Sequence, residues 1–200
     1  MKNSHLLCAV GGTLLLFTAS TGAVAAIIDF EGLAPSGGTA AITTSPYAED
    51  GFDLAFPIGI SVFDSAQTNA NTTGSAYIQL SNNSTAGPIS LSDSGGANFN
   101  LTSVDVGSGF DATFGLSSFD ITGHISGGGT IVANVVDAGD FSTLVLGWTN
   151  LTSVDFTTAG GQSAGIDNIV VSSVPLPAAV WLFGSGLLGL IGIAKSKKAA

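Results

Sequence analysis

Short hydrophobic runs separated by Gly-, Ser-, Asn- and Thr-rich segments fill the chain from Ala26 to Ser173. Runs of this length, rich in Val, Ile, Thr and Phe, are typical of β-strands and contain little of the composition that favours surface helices. The pattern predicts strands at Ile27–Phe30, Ile60–Phe63, Ala76–Leu80, Phe99–Val106, Thr113–Ile125, Thr130–Asp137, Phe141–Trp148, Leu151–Thr157 and Ile166–Ser172. We therefore expect the all-β class, as a single jelly-roll-like β-sandwich.

Two segments give finer expectations about side-chain direction. Strict alternation in "SSFDITGHIS" predicts an apolar face with Phe119, Ile121 and Ile125 and a solvent face with Asp120, Thr122 and His124. The hexapeptide "NLTSVD" occurs twice, at 100–105 and 150–155. Alternation predicts Thr and Val on one face of each copy and Leu, Ser and Asp on the other. We favour two strands in similar environments over an internal duplication, because no longer period is visible.

The beginning of the chain has the three parts of a secretory signal peptide. Lys2 supplies positive charge, Leu6–Phe17 is apolar, and Ala23 and Ala25 form an A-x-A cleavage site. Residues 1–25 are therefore predicted to be removed on export, which leaves a mature chain that starts at Ala26.

The end of the chain has a Pro motif, an apolar run and a basic cluster. The motif is Val174, Pro175, Leu176 and Pro177, the run is Ala178–Ala194, and the cluster is Lys195, Lys197 and Lys198. As a helix, the run reaches about 26 Å, near the lower limit for spanning a bilayer core. We expect a transmembrane helix with the lysines in the cytoplasm. The predicted organisation is thus 1–25 signal peptide, 26–173 β-sandwich ectodomain and 174–200 tail.

Charge is distributed very unevenly between the body and the two ends. All 14 acidic residues lie between Lys2 and Lys195, and that interval contains no Lys or Arg. A polyanionic body is repelled by nucleic acid, since phosphate binding relies on basic side chains. Nucleic acid is therefore excluded as a partner.

Few side chains are available for catalysis. The single cysteine, Cys8, lies in the signal peptide, and His124 is the one histidine left after export. A Ser-His-Asp triad would need His124 near a nucleophile, and no G-x-S-x-G elbow precedes a helix. Zinc and copper sites need several His or Cys ligands. Glu31 and Glu49 are the only glutamates, and nothing marks a glycosidase pair of carboxylates. We expect no enzymatic activity.

Calcium is the one cofactor that suits the composition, because it binds carboxylate, amide and carbonyl oxygens in loops. Acidic groups occur in "IDFEG" with Asp29 and Glu31, in "AEDGFD" with Glu49, Asp50 and Asp53, and in "GIDNIVV" with Asp167 and Asn168. None has EF-hand or repeat spacing, so a site would be assembled from distant segments. For each group alone, a solvated loop or a turn-capping carboxylate is the simpler reading.

The tail resembles the PEP-CTERM sorting signal of Gram-negative bacteria that make exopolysaccharide. The resemblance rests on "VPLPAAVWLFGSGLLGLIGIAKSKK", with Leu176 where the usual motif has Glu. It implies recognition by an exosortase in the inner membrane, cleavage near the Pro motif, and delivery to the cell surface or extracellular matrix.

The body is similar to the β-sandwich ectodomains often attached to such tails, through "IDFEGL", "YAEDGF", "NLTSVDF" and "GIDNIVV". In jelly rolls that resemble carbohydrate-binding modules, an acidic first strand and an Asp on the last strand often share a structural calcium. That resemblance implies Asp29, Glu31 and Asp167 as ligands.

Together these features predict an exported, non-enzymatic matrix protein of the biofilm, associated with exopolysaccharide and sorted by exosortase. A calcium-stabilised carbohydrate-binding module is the second hypothesis, and a surface hydrolase is a distant third.

Overall fold

A computed structural model describes residues 25–174 apart from 58–59, 65–74, 81–86, 109–118, 137–139 and 159–163, together with Phe183 and Gly186. Residues Ala23–Val174 form one compact unit. The predictions for Ala23, Pro175, Leu176, Pro177, Lys195, Lys197 and Lys198 fall outside the described residues. No helix within the described part of the chain is long and apolar enough to cross a membrane.

The described part of the body contains twelve strands. They are β1 Ala25–Ile28, β2 Thr39–Ile42, β3 Tyr47–Glu49, β4 Phe52–Ala55, β5 Ile60–Phe63, β6 Tyr77–Leu80, β7 Ile89–Asp93, β8 Phe99–Gly107, β9 Phe119–Ile125, β10 Thr130–Val135, β11 Ser142–Thr158 and β12 Ala164–Ser173. All pairings are antiparallel. The predicted all-β class is confirmed.

The strands form one hydrogen-bonded sheet whose two parts share the long strand β11. One part has the order β2-β5-β6-β12-β8-β11, with β1 alongside β12, and the other has the order β10-β9-β11-β7-β4-β3. Residues 142–151 of β11 pair with β8, whereas residues 151–158 pair with β9. Strand β11 therefore passes from one part of the sheet into the other.

The buried side chains of both parts belong to one apolar core. The ring of Phe52 on β4 lies 5.4 Å from that of Phe99 on β8, in an edge-to-face arrangement. Tyr77 on β6 stacks on Phe63 and also contacts Phe141. This packing between strands of both parts gives a sandwich-like all-β fold.

Two of the predicted strands are wrong, because Phe141–Trp148 and Leu151–Thr157 are parts of the single strand β11. The Gly147–Asn150 stretch reads as a turn in the sequence, and both residues have positive φ, 62° and 59°. The backbone accommodates these angles as bulges, so the strand bends and continues. Strands β2, β3, β4 and β7 were not predicted, because they are short and lie among Gly, Ser and Pro residues.

The expected alternation in "NLTSVD" is also wrong, and the two copies deviate alike. Leu101 and Val104 are fully buried, as are Leu151 and Val154, although three positions separate each pair. The register of β11 shifts between Leu151 and Ser153, and that of β8 shifts against β11 around the first copy. The shifts reverse the face on which later side chains lie. By contrast, the predicted alternation around Ile121 is confirmed, since Phe119 and Ile121 are buried and Asp120 is exposed.

The two ends of the described body lie side by side. Strand β1 pairs with the end of β12, so that Ala25 is opposite Ser172. The backbone N–H of Val174 donates to the carbonyl oxygen of Asn98 at 2.9 Å. The backbone hydrogen bonds of the body therefore extend to Val174, the first residue of the Pro motif.

Candidate functional site

Glu31 and Asp167, two of the predicted calcium ligands, converge at the start of β6. The Ala76 N–H donates to Glu31 Oε1 at 2.9 Å. The preceding residue, Ser75, donates a short hydrogen bond from Oγ to Asp167 Oδ2. Two adjacent residues thus connect the turn after β1 to the strand β12, which the antiparallel pairing of β1 and β12 already brings close.

The carboxylate of Asp167 is completely buried, with 0% exposure. Its Oδ1 accepts from the backbone N–H of Asn168 at 2.7 Å, and its Oδ2 accepts from Asn168 Nδ2 at 3.2 Å. Burying a carboxylate costs free energy unless donors compensate for the lost water. The donors from Ser75 and Asn168 are neutral, and the body of the chain contains no Lys or Arg.

A second carboxylate, Asp105, lies directly across from Asp167 in the pairing of β8 with β12. The side-chain amide of Asn168 donates to Asp105 Oδ2 at 2.9 Å, so that one NH₂ group joins both carboxylates. Thr143 on β11 donates to Asp105 Oδ1 at 2.6 Å. Asn168 has a φ of 45° at a bulge in β12, and this conformation places its amide between the two acids.

Asp29, the third predicted ligand, has a local role in the described contacts. Its Oδ1 accepts from the N–H of Glu31 at 3.1 Å, which closes a turn after β1. The backbone N–H groups of Asp29 and Phe30 both point to the carboxylate of Glu49, each at 3.4 Å. Phe30 is buried with a φ of 57°, so the chain turns sharply at this point.

Glu49 joins the end of β1 to β3 through a partly buried carboxylate. Tyr47 donates from its hydroxyl group to Glu49 Oε2 at 2.9 Å. Burial raises the pKa of Glu49, and the three hydrogen bonds lower it by less. Burial also raises the pKa of Tyr47, and the neighbouring carboxylate of Glu49 adds to this shift. The Glu49 carboxylate therefore connects the turn that contains Asp29 and Glu31 to β3 through hydrogen bonds.

The other acidic residues after Glu49 stabilise a hairpin. Asp50 and Gly51 connect β3 to β4 with φ values of 49° and 84°, as a tight two-residue turn requires. Ser94 donates from its hydroxyl group to Asp53 Oδ1 at 2.7 Å and from its backbone N–H to Gly51 O at 2.9 Å. These contacts give the Asp53 carboxylate a partner in the hairpin and place Asp50 in its turn.

The oxygen atoms around Ser75 suit calcium in type, because carboxylates and a hydroxyl group are the hard ligands that it prefers. Among the described residues, however, no group of three or more His, Cys, Asp or Glu residues is close enough to hold a metal ion. A calcium ion held by the predicted ligands Asp29, Glu31 and Asp167 would need further oxygen ligands from hydroxyl or backbone groups.

A separate polar cluster surrounds Asp155 on the solvent face of β7, β9 and β11. His124 Nε2 lies 2.8 Å from Asp155 Oδ2, and Ser90 donates from Oγ to Asp155 Oδ1 at 2.5 Å. A hydrolytic triad needs the histidine between the serine and the acid, so that it can take the proton from the serine. Here the acid lies in the middle, and this order does not place the His124 imidazole as the base for Ser90.

A groove of about 280 Å³ lies beside Ser90, where Ala55, Phe56, Pro57 and Pro88 form an apolar lining with Ser45 at its edge. Its size is just below the range of about 300–1,000 Å³ that is usual for ligand pockets. The Ser45 hydroxyl oxygen already accepts a hydrogen bond from the Phe56 N–H at 3.0 Å.

Sequence reasoning did not identify Ser75, Asp105 or Asp155 as members of these clusters. A signal for two of them was present, since each "NLTSVD" copy ends in an acid, and each acid is central to one cluster. No sequence pattern indicates Ser75, because it comes close to Asp167 only through the pairing of β6 with β12.

Comparison with known proteins gives distant structural similarities. No protein-family model matches the chain, and no curated protein matches it. The arabinose-bound MgGH51 α-L-arabinofuranosidase has a TM-score of 0.39 and 10% identity, over 64% of this chain and 24% of that one. The CBM22-1–GH10 modules of Clostridium thermocellum xylanase 10B, complexed with xylohexaose, have a TM-score of 0.35 and 12% identity, over 74% and 28%. The chain thus spans about a quarter of each protein, and these low scores carry no argument about function.

Proposed function

We propose that this chain is an exported, non-enzymatic protein of the cell surface or extracellular polysaccharide matrix. In this proposal an exosortase in the inner membrane reads the tail as a PEP-CTERM signal and cuts near Pro175 and Pro177. The body is then a jelly-roll-like β-sandwich that carries negative charge and no Lys or Arg.

The observation that best supports this proposal is the position of the two ends. Ala25, at the predicted signal cleavage site, pairs with Ser172, two residues before Val174. The predicted signal peptide and the predicted membrane anchor are thus attached to adjacent strand ends. Both segments can therefore lie in the same membrane while the body is exported. The body would remain on one side of that membrane until the tail is cut.

The experiment follows the tail in an exopolysaccharide-producing Gram-negative host, with and without its exosortase. We expect the chain to leave the inner-membrane fraction and lose its lysine-containing end only when exosortase is present, as measured by mass spectrometry. Replacing Pro175 and Pro177 by Ala should retain the intact chain in the membrane, whereas Pro57→Ala and Pro88→Ala in the body should not. A chain that keeps its tail in every strain would refute the sorting proposal.

A calcium-stabilised carbohydrate-binding module is the second candidate, and it is supported by the convergence of Glu31 and Asp167 at Ser75. A cation bound only by the folded state raises the melting temperature, and the increase grows with the logarithm of the cation concentration above its dissociation constant. We expect calcium to raise the melting temperature of the parent chain and to leave that of Asp167→Asn unchanged. Asp155→Asn, which removes an acid outside this group, serves as the control and should respond like the parent.

Sugar binding is tested separately on a glycan array with and without calcium. Sugar binding that disappears when calcium is chelated would support the carbohydrate-binding module. A melting temperature that calcium leaves unchanged would show that the module binds no calcium. The surface hydrolase remains the least supported candidate, because Asp155 and not His124 contacts Ser90.

A further inference from the structure

Strand β10 is an uncharged edge of the sheet. Its sequence, Thr-Ile-Val-Ala-Asn-Val, has no ionisable side chain and no Pro, and among the described residues it pairs with β9 alone. Ile131 is 37% exposed and Val132 is 57% exposed, and Val136 directly after the strand is 67% exposed. Proteins usually protect a long edge with charges, Pro, bulges or a short strand.

The other edges that the described residues form are shorter or bulged. Strands β1 and β2 have four residues each and β3 has three, and β3 carries Glu49. The first half of β11 has bulges between Val145 and Trp148. The pairing of β10 with β9 is continuous over six residues, without a bulge. Strand β10 is therefore the best template for a further strand.

The backbone groups that β10 directs outward can be assigned from its hairpin. Ile125 N donates to Gly129 O at 3.0 Å, so these two residues form a hydrogen-bonded position. Such positions alternate along an antiparallel pair. Thr130, Val132 and Asn134 therefore turn their N–H and C=O groups away from β9, toward the edge.

We propose that a second copy of this chain pairs with β10 through its own β10, antiparallel and centred on Val132. In this register Val132 faces its symmetry mate, and Thr130 faces Asn134. All three outward N–H groups and all three outward C=O groups then find partners. On the other face Ile131 lies opposite Ala133, so that polar residues meet polar ones and apolar residues meet apolar ones.

Electrostatics favours this edge for self-association by an acidic protein. On the neighbouring strand β9, Asp120 accepts from Asn134 Nδ2 at 2.7 Å, and β10 itself carries no acid. In the pair, three strand spacings separate the two Asp120 residues laterally, which is about 14 Å. This exceeds the Debye length of about 8 Å at physiological ionic strength. Like charges therefore oppose the contact only weakly, whereas a basic partner would find no carboxylate on β10 to bind.

The test uses disulfide cross-linking of the full chain in detergent micelles, with Cys8 replaced by Ser. In the proposed register the two Val132 Cα atoms are about 5.5 Å apart, within reach of a disulfide. The two Ile131 residues are displaced by two positions and lie beyond it. We expect Val132→Cys to form an intermolecular disulfide at least about tenfold faster than Ile131→Cys and than Val145→Cys on the edge of β11.

A second measurement does not depend on covalent capture. Val132→Lys should weaken self-association at least about tenfold in sedimentation equilibrium, because it places two like charges opposite each other. Val145→Lys, at a more exposed valine, should leave it unchanged, and circular dichroism verifies that both variants fold. Equal cross-linking at all three cysteines, a monomeric parent chain, or a larger effect of Val145→Lys would each overturn the proposal.

Discussion

Replacing Asn168 by Gly removes the amide that joins Asp105 to Asp167 while leaving the backbone unstrained. The φ of 45° at this residue is one that Gly adopts freely, so the variant isolates the contribution of the side chain. The amide donates to Asp105 Oδ2 at 2.9 Å and to Asp167 Oδ2 at 3.2 Å. Both carboxylates would lose this donor and face each other directly across β8 and β12.

The magnitude follows from two effects. A hydrogen bond to a charged group contributes about 1.5–3 kcal/mol, and the longer of these two falls at or below the lower end. Two charges about 6 Å apart at an effective dielectric constant of about 20 repel by about 3 kcal/mol, part of which the amide offsets now. These effects overlap, and we expect Asn168→Gly to lower the free energy of unfolding by about 3 kcal/mol.

Two further variants at the same position separate the causes. Asn168→Ala should lower the free energy of unfolding by about 1 kcal/mol more than Asn168→Gly does, because a Cβ atom is disfavoured at positive φ. Asn168→Asp keeps the shape but replaces the donor by a third carboxylate, and it should be the least stable of the three. Urea unfolding at 25 °C and neutral pH, followed by circular dichroism, gives each value. A stability of Asn168→Gly within about 0.5 kcal/mol of the parent would refute the role of the amide.

Three further predictions concern the core and the carboxylate of Glu49. Gly123→Ala should lower the free energy of unfolding by about 1–3 kcal/mol, because the new Cβ would lie 2.9 Å from Trp148 Cε3 and 3.0 Å from Ile131 Cγ2. An unchanged free energy in urea unfolding would show that these side chains move aside. Tyr77→Phe should leave stability unchanged or raise it by about 1 kcal/mol, because the buried hydroxyl group has no hydrogen-bond partner in the described structure; a clear loss in the same assay would reveal a partner. The pKa of Glu49 is raised, which means that the folded state binds the proton more tightly than the unfolded state does. The contribution of this group to the free energy of unfolding is therefore fully present below the ordinary pKa of 4.5, and it is lost as the pH rises through the pKa of the folded state. Glu49→Gln should therefore gain stability relative to the parent as the pH rises from 4 to 7, and parallel curves for the two proteins would contradict the shift.

The clusters around Asp167 and Asp155 illustrate how far local pattern reaches. Alternation correctly placed His124 on the solvent face, because period two is a property of any strand. Its partner Asp155 is 31 residues away and comes next to it through the pairing of β9 with β11. Likewise Ser75 and Asp167 are 92 positions apart, and no local signal connects them.

The same limit explains the error about β11. Gly147 and Asn150 favour positive φ in any context, and the sequence indicates this correctly. Whether such residues end a strand or bulge within it depends on neighbouring strands. Here β8 continues to pair past Trp148 and β9 takes over at Leu151, so the strand continues.

The sequence by itself determined the all-β class and the acidic character of the body, because strand propensity and charge are local properties of residues. It also predicted the signal peptide and the sorting tail, which are continuous segments read in order. Only the tertiary structure decided which acids share donors, that Ala25 lies beside Ser172, and that β10 pairs on one side alone among the described residues. These depend on strand order and register, which follow from the packing of the whole core and not from any single segment.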